Sequence, residues 1–163
     1  VIEKLTDDPR ITAMGLLAEV YTGLTARYAG HLDEHGLSAV EFEVLMRLVR
    51  SPDHRLRMSD LAAQTTLSTS GVTRVVDRME RDGLLRRIAC PSDRRSSHAT
   101  VTEAGLARFA AVLPGHLALI EEWFTGQLEP DALRNLLAAL RTVRDAVHPC
   151  ATAGSTPPDC PTP

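Results

Sequence analysis

Residues 58–105 read MSDLAAQTTLSTSGVTRVVDRMERDGLLRRIACPSDRRSSHATVTEAG, and their punctuation decides the fold. Ser59 stands where an N-cap is wanted before Leu61, Ala62 and Thr65, which predicts a short helix. A turn at Thr66-Leu67 follows, and Ser68 or Thr69 caps a second helix that runs to Asp82, where Gly83 stops it. Residues 84–89 and 98–101 have strand character on either side of a polar turn. A long helix then begins near Thr102, with Glu103 in its first turn. The order is two short helices, a hairpin tipped by arginines, and a new helix.

On a helical wheel of residues 70–81, Val72, Val75, Val76 and Met79 fall at i, i+3, i+4 and i+7, so that side packs inward. The opposite side carries Ser70, Thr73, Arg74, Asp77, Arg78 and Arg81. Short hydroxyls at 68–70 and Gly71 let a duplex approach the helix N-terminus, where the backbone dipole favours phosphate. Thr73 and Arg74 are placed to reach base edges, and arginine on guanine is the commonest specific contact. Arg78 and Arg81 lie further along, at the level of phosphates. The bland alternative is a solvated amphipathic helix with an Asp77–Arg81 pair.

The hairpin tip adds a second grip. Asp93, Arg94 and Arg95 follow Pro91, where a hydrophobic core has no use for them. An aspartate two residues before an arginine can hold its guanidinium in one orientation, aimed at a minor groove or backbone. An ordinary charged turn is the alternative.

Working outward, Ile11, Met14, Leu17, Tyr21, Leu24 and Tyr28 form a helical stripe ending near His35-Gly36. Ser38 and Glu41 make a capping box for a helix over about 39–50, with Phe42, Leu45, Met46 and Val49 inward. Residues 55–57 can form a short edge strand. Pro114 inside the long helix predicts a kink or break. A last helix over 131–147 gathers Leu133, Leu136, Leu137, Leu140 and Val143 on one side. Residues 148–163 are Pro/Thr/Ser-rich and are expected to be a disordered tail.

The charge is segregated. Residues 47–98 hold 11 Arg against 6 Asp/Glu, a net of +5, while the rest of the chain carries −8, giving −3 for the 163 residues. A basic module on an acidic scaffold is the footprint of a protein that offers one face to phosphate. Hydrophobic content of 44% and charged content of 24% are ordinary for a soluble globular protein. No apolar run approaches a membrane span, so no membrane partner is expected. Three cysteines, Cys90, Cys150 and Cys160, make no disulfide framework and suit a reducing cytoplasm. No phosphate-binding glycine loop, nucleophile elbow or paired-acid spacing points to an enzyme.

The helix order, the string TRVVDRMERDGLLRR, the tip PSDRR, the closing VTEAG and GLSAVEF at 36–42 resemble the MarR family of bacterial winged helix-turn-helix regulators, over about residues 10–147. The resemblance implies a mainly α fold with a small β-hairpin wing and a helical dimerisation region. Residues 36–105 would be the winged DNA-binding domain, and 10–35 with 106–147 the dimerisation helices. It implies a cytoplasmic homodimer that binds a palindrome in double-stranded DNA, one half-site per subunit about a DNA turn apart, and acts chiefly as a repressor. Its DNA-binding set would be Ser68, Thr69, Ser70, Thr73, Arg74, Arg78, Arg81, Asp93, Arg94 and Arg95. Ser97 and His98 replace the family's aliphatic residues, so the second wing strand is expected to be short or exposed.

The resemblance also implies an effector, a small aromatic or carboxylate molecule, in a cleft between the dimerisation helices and the winged module. Arg10, Met14, Leu17, Tyr21 and Arg47 are its candidate contacts, with arginine as the carboxylate anchor. Control by thiol oxidation at Cys90, or by zinc at His31 and His35 with Asp33, Glu34 or His116, is the alternative, as is a winged helix that docks a protein. No cofactor or metal is expected.

Overall fold

Helix α1 (Pro9–Glu34) starts where Asp8 accepts a hydrogen bond from the Arg10 amide and Pro9 takes the first helical position. It ends in a Schellman motif: Gly36 sits at φ 67°, its N–H donates to Asp33 O, and the Leu37 N–H donates to Leu32 O. The computed structural model describes residues 7–65, 67–90 and 93–151, without the side chains of residues 90 and 93–96. Helix α2 (Ala39–Val49) follows, and the Ser38–Glu41 capping box is formed as expected. Strand β1 (Arg55–Arg57), helix α3 (Met58–Gln64), helix α4 (Thr69–Arg81), strands β2 (Leu85–Cys90) and β3 (Asp93–Val101), helix α5 (Glu103–Trp123) and helix α6 (Pro130–Val147) complete the order.

The core lies around α2. Val44, Leu45, Leu48, Leu61, Val72, Val76, Met79, Ala99 and Val112 are completely buried and belong to one cluster. Burial of each large side chain contributes about 1.5–3 kcal/mol. Val44 and Leu48 extend the inward face beyond the four expected residues, because α2 is packed by α1, α3, α4, α5 and β3.

The sheet is antiparallel in the order β1-β3-β2. The second wing strand is long rather than short. His98 pairs opposite both Arg57 and Ile88, so the ladder is secured from two sides and does not depend on aliphatic side chains at 97 and 98. The wing is joined to α5 by a close approach. Thr102 caps α5 through the Gly105 N–H, and its hydroxyl donates to Gly83 O at 2.6 Å. A Cβ at Gly105 would collide with the Leu84 carbonyl and come within 2.8 Å of Val101 Cγ1.

Three local expectations are corrected. Ser59 is not a cap: Arg57 holds that position without a side-chain bond, and the Ser59 hydroxyl donates to Asp60 instead. Helix α5 continues through Pro114 unbroken. Ala110, whose carbonyl loses its partner there, is exposed, so no buried acceptor is orphaned. The segment expected as a tail begins with structure, since Pro149–Ala151 forms a 3-10 turn with Ala151 buried. His148 Nε2 lies 2.8 Å from Ala63 O, and Arg47 donates to Ala151 O at 2.6 Å. Residues 152–163 lie outside the described residues.

The stretch Glu103–Gln127 is, by length and composition alone, apolar enough to cross a membrane, contrary to the sequence reading. Its inward side is spent on the core through Phe109, Val112 and His116, and Leu117 and Trp123 stay exposed. Helix α6 has no buried residue at all, and α1 buries only Leu32.

Candidate nucleic-acid interface

Ser68 opens α4, its hydroxyl accepting from the Gly71 N–H at 3.1 Å, and Thr69 is the first helical residue. Val72, Val75, Val76 and Met79 are buried, which turns the other side outward. Ser68, Thr69, Ser70, Thr73, Arg74, Arg78 and Arg81 are all exposed along that side. Gly71 is half-buried against the preceding turn, since a Cβ would meet Ser68 Oγ at 3.2 Å and Leu67 Cβ at 3.6 Å. A side chain there would crowd that turn.

The outward groups differ in how free they are. The Thr73 hydroxyl donates to Thr69 O at 3.0 Å, and the Ser70 and Ser68 hydroxyls are 3.2 Å apart. Arg74 donates through Nε to Ser70 O at 3.3 Å, and Arg81 through Nε to Asp77 O at 3.4 Å. Neither arginine has a carboxylate partner among the described residues. Arg78, expected at phosphate, is instead tied inward: its Nε donates to Glu41 Oε1 at 2.7 Å. Only its terminal nitrogens remain for a ligand.

Glu41 is nearly buried, and burial, the largest single influence, pushes its carboxyl up. The Ser38 N–H, the Ser38 hydroxyl and Arg78 together outweigh that and hold it below the usual carboxylate range. The Asp77–Arg81 side-chain pair of the bland alternative is absent among the described residues. Asp77 pairs with Arg87 of β2 at 2.5 Å, so the helix is braced to the wing rather than along itself. Sequence reading passed over Arg87. The signal was available, since Asp77 is an anion on an otherwise cationic face and calls for a partner.

Asp93, Arg94 and Arg95 begin β3, where Asp93 pairs with Cys90. Their side chains lie outside the described residues, as does that of Cys90. His98 is half-buried within the ladder.

The five candidate effector contacts do not converge. Arg10 forks onto Asp8 at the start of α1, holding that carboxyl below its usual range. Met14 and Tyr21 are exposed, and Arg47 is committed to Glu43 and Ala151 O. Leu17 lines an apolar cavity of about 540 Å³ with Leu16, Val20, Trp123, Leu136 and Leu140, between α1, α6 and the end of α5. Arg47 borders a separate cavity of about 290 Å³ on α2, beside Phe42, Met46 and Arg50.

The histidines are occupied by packing. His31 Nε2 is 2.9 Å from Val112 O, and His35 Nδ1 is 2.9 Å from His31 O. His116 is buried against Tyr28 and Phe42, and burial, then the nearby His31, keeps its pKa low. No group of three metal-ligating side chains exists among the described residues, so the zinc alternative gains no support.

A capped helix with an exposed hydroxyl-and-arginine face, preceded by a short helix and followed by an antiparallel wing, defines a winged helix-turn-helix. Residues 37–97 match the MarR family. The HTH-type transcriptional regulator MhqR of Bacillus subtilis (strain 168) is 34% identical over 107 residues, 66% of this chain and 72% of that protein. The crystal structure of AbsC, a MarR family transcriptional regulator from Streptomyces coelicolor, is 36% identical with a TM-score of 0.79, over 86% of this chain and 95% of that one. Sco3205 from the same organism, a MarR family regulator solved in complex with DNA, is 27% identical with a TM-score of 0.78, over 90% and 91%. The chain belongs to the MarR family. It is a DNA-binding transcriptional regulator and not an enzyme.

Proposed function

We propose that the protein is a cytoplasmic repressor that binds a palindromic operator as a homodimer and is released by a small aromatic or carboxylate effector. The observation that carries this reading is the outward face of α4. Its hydroxyls at 68–70 and 73 lead to Arg74 and Arg81, two exposed arginines without carboxylate partners among the described residues. In the proposed complex α4 lies in a major groove, with Ser68 and Thr69 at the backbone and Ser70, Thr73 and Arg74 at base edges. Arg81, and Arg78 through its terminal nitrogens, meet phosphate, while Asp93, Arg94 and Arg95 carry the wing to the neighbouring backbone.

The dimerisation helices are assigned to 10–35 and 106–147, because their apolar residues lack cover within one chain. Ile11, Met14, Tyr21, Val143 and Val147 are all more than half exposed. Two copies sharing these stripes would remove a surface too large for an isolated monomer to leave in water. An aromatic effector agrees with two structural neighbours, one solved with 2,4-dichlorophenol and one described as regulated by 6-hydroxynicotinic acid.

A gel shift with the intergenic DNA upstream of the gene tests the reading. Saturable binding with a steep inverse salt dependence supports it. No preference over random duplex at any salt concentration sinks it, and leaves a winged helix that docks protein.

A further inference from the structure

Arg87 sits on β2, in the most basic stretch of the chain, yet its side chain is turned away from any ligand. NH1 pairs with Asp77 Oδ1 at 2.5 Å, and NH2 donates to Thr73 O at 3.2 Å. Its Nε is buried and has no acceptor among the described residues. The backbone N–H of the same residue donates to Glu80 Oε1 at 2.8 Å. One residue of the wing therefore holds three points of α4, spread over two turns, and its side chain is only 29% exposed.

From this geometry we infer that Arg87 is a positioning residue for base reading: it sets the rotation of α4 against the wing and keeps the Asp77 carboxylate off the duplex. The inference rests on the proposed docking of α4 in a major groove. Thr73, whose carbonyl Arg87 holds, and Arg74 beside it are among the residues assigned to base edges. A fork that fixes a carbonyl and a carboxylate together fixes an orientation, which a single point charge does not. Asp77 left unpaired would present a negative charge where the groove is flanked by phosphates.

Arg87 acting through Asp77 makes a different signature from Arg87 touching DNA. A phosphate contact adds about 0.9 to the slope of log K against log salt, whereas a brace adds nothing to it. The probe is the duplex that the wild-type protein selects from a random-sequence pool, with variants of that duplex changed one base pair at a time.

Arg87→Met is expected to lower the ratio of selected to random affinity about tenfold, the scale of one misplaced bidentate base contact, and to leave the salt slope in place. Asp77→Asn is expected to lose discrimination at the same base pairs, and Arg87→Met added to it should cost little more. Arg87→Lys, which keeps charge but not the fork, should recover only part of the ratio. A uniform loss on all sequences with a slope reduced by about one would overturn the inference and make Arg87 a phosphate contact. So would a full additional loss in the double variant. If the wild-type protein selects no consensus, the docking of α4 fails first and the inference falls with it.

Discussion

Glu41 Oε1 accepts from Arg78 Nε at 2.7 Å while Oε2 of the same carboxylate receives the Ser38 N–H at 2.8 Å and the Ser38 hydroxyl at 2.7 Å. One side chain thus completes the capping box of α2 and anchors α4 to it. All three bonds are charge-assisted, and the carboxylate is nearly buried, so neither Glu41 nor Arg78 is replaceable by a neutral group without loss.

Glu41→Ala removes the reciprocal half of the capping box and leaves Arg78 unpaired, and should cost about 2–4 kcal/mol in urea unfolding. The pH dependence has a definite sign. A carboxyl held below its ordinary value stabilises the fold fully above pH 4.5 and loses that contribution as pH falls from there through its lowered folded value. Glu41→Gln should flatten this part of the acid limb.

His116 works in a higher window. Its pKa is lowered from 6.5 by burial and by His31, so the folded state binds its proton less readily than the unfolded chain. Stability from this group is intact above 6.5 and declines as pH drops through the lowered value. In His116→Phe, melting temperature should change less between pH 7 and pH 5 than in the wild type, and an equal change in both would discount the group.

Arg74→Ala should lose discrimination at particular base pairs by about 1–3 kcal/mol. Arg81→Ala should weaken binding to every sequence and lower the salt slope by about 0.9. Competition titrations at several salt concentrations separate the two, and identical behaviour would mean that α4 does not read bases through Arg74.

Gly105→Ala should destabilise by about 1–3 kcal/mol, since the added methyl meets a backbone carbonyl that cannot step aside. Denaturant midpoints test this, and an unchanged midpoint would show that the junction of wing and α5 is looser than its geometry implies.

Val143→Asp should convert a dimer to monomer in sedimentation or light scattering, because Val143 is 56% exposed in one chain and lies on the apolar stripe of α6. A dimer that survives this change would move the interface elsewhere.

Local signals were easy to read in the chain. The valines of α4, the Ser38–Glu41 box and the Ser68 cap are set by residues three or four positions apart, and all are formed. What sequence spacing missed was decided across distance. Arg78 looks like a DNA-facing cation until Glu41, 37 residues earlier, claims it, and Asp77 finds its partner in Arg87 of β2. The periodicity of α1 and α6 showed an apolar side without showing whether that side is covered by its own chain. The effector set drawn from α1 and α2 failed to converge because a shared stripe places residues on one face and not at one point.

The internal pairing of arginines bears on how the protein searches a genome. Of the eleven arginines at 47–98, Arg47, Arg55 and Arg87 are paired with carboxylates among the described residues, beside Arg78, which keeps its terminal nitrogens free for a ligand. Charge spent inside the molecule does not displace counterions from a duplex, so the hold on arbitrary sequence is weaker than the formal charge implies. In the proposed repressor, fewer molecules are then stranded on irrelevant DNA, and a small number of copies suffices to keep one operator occupied.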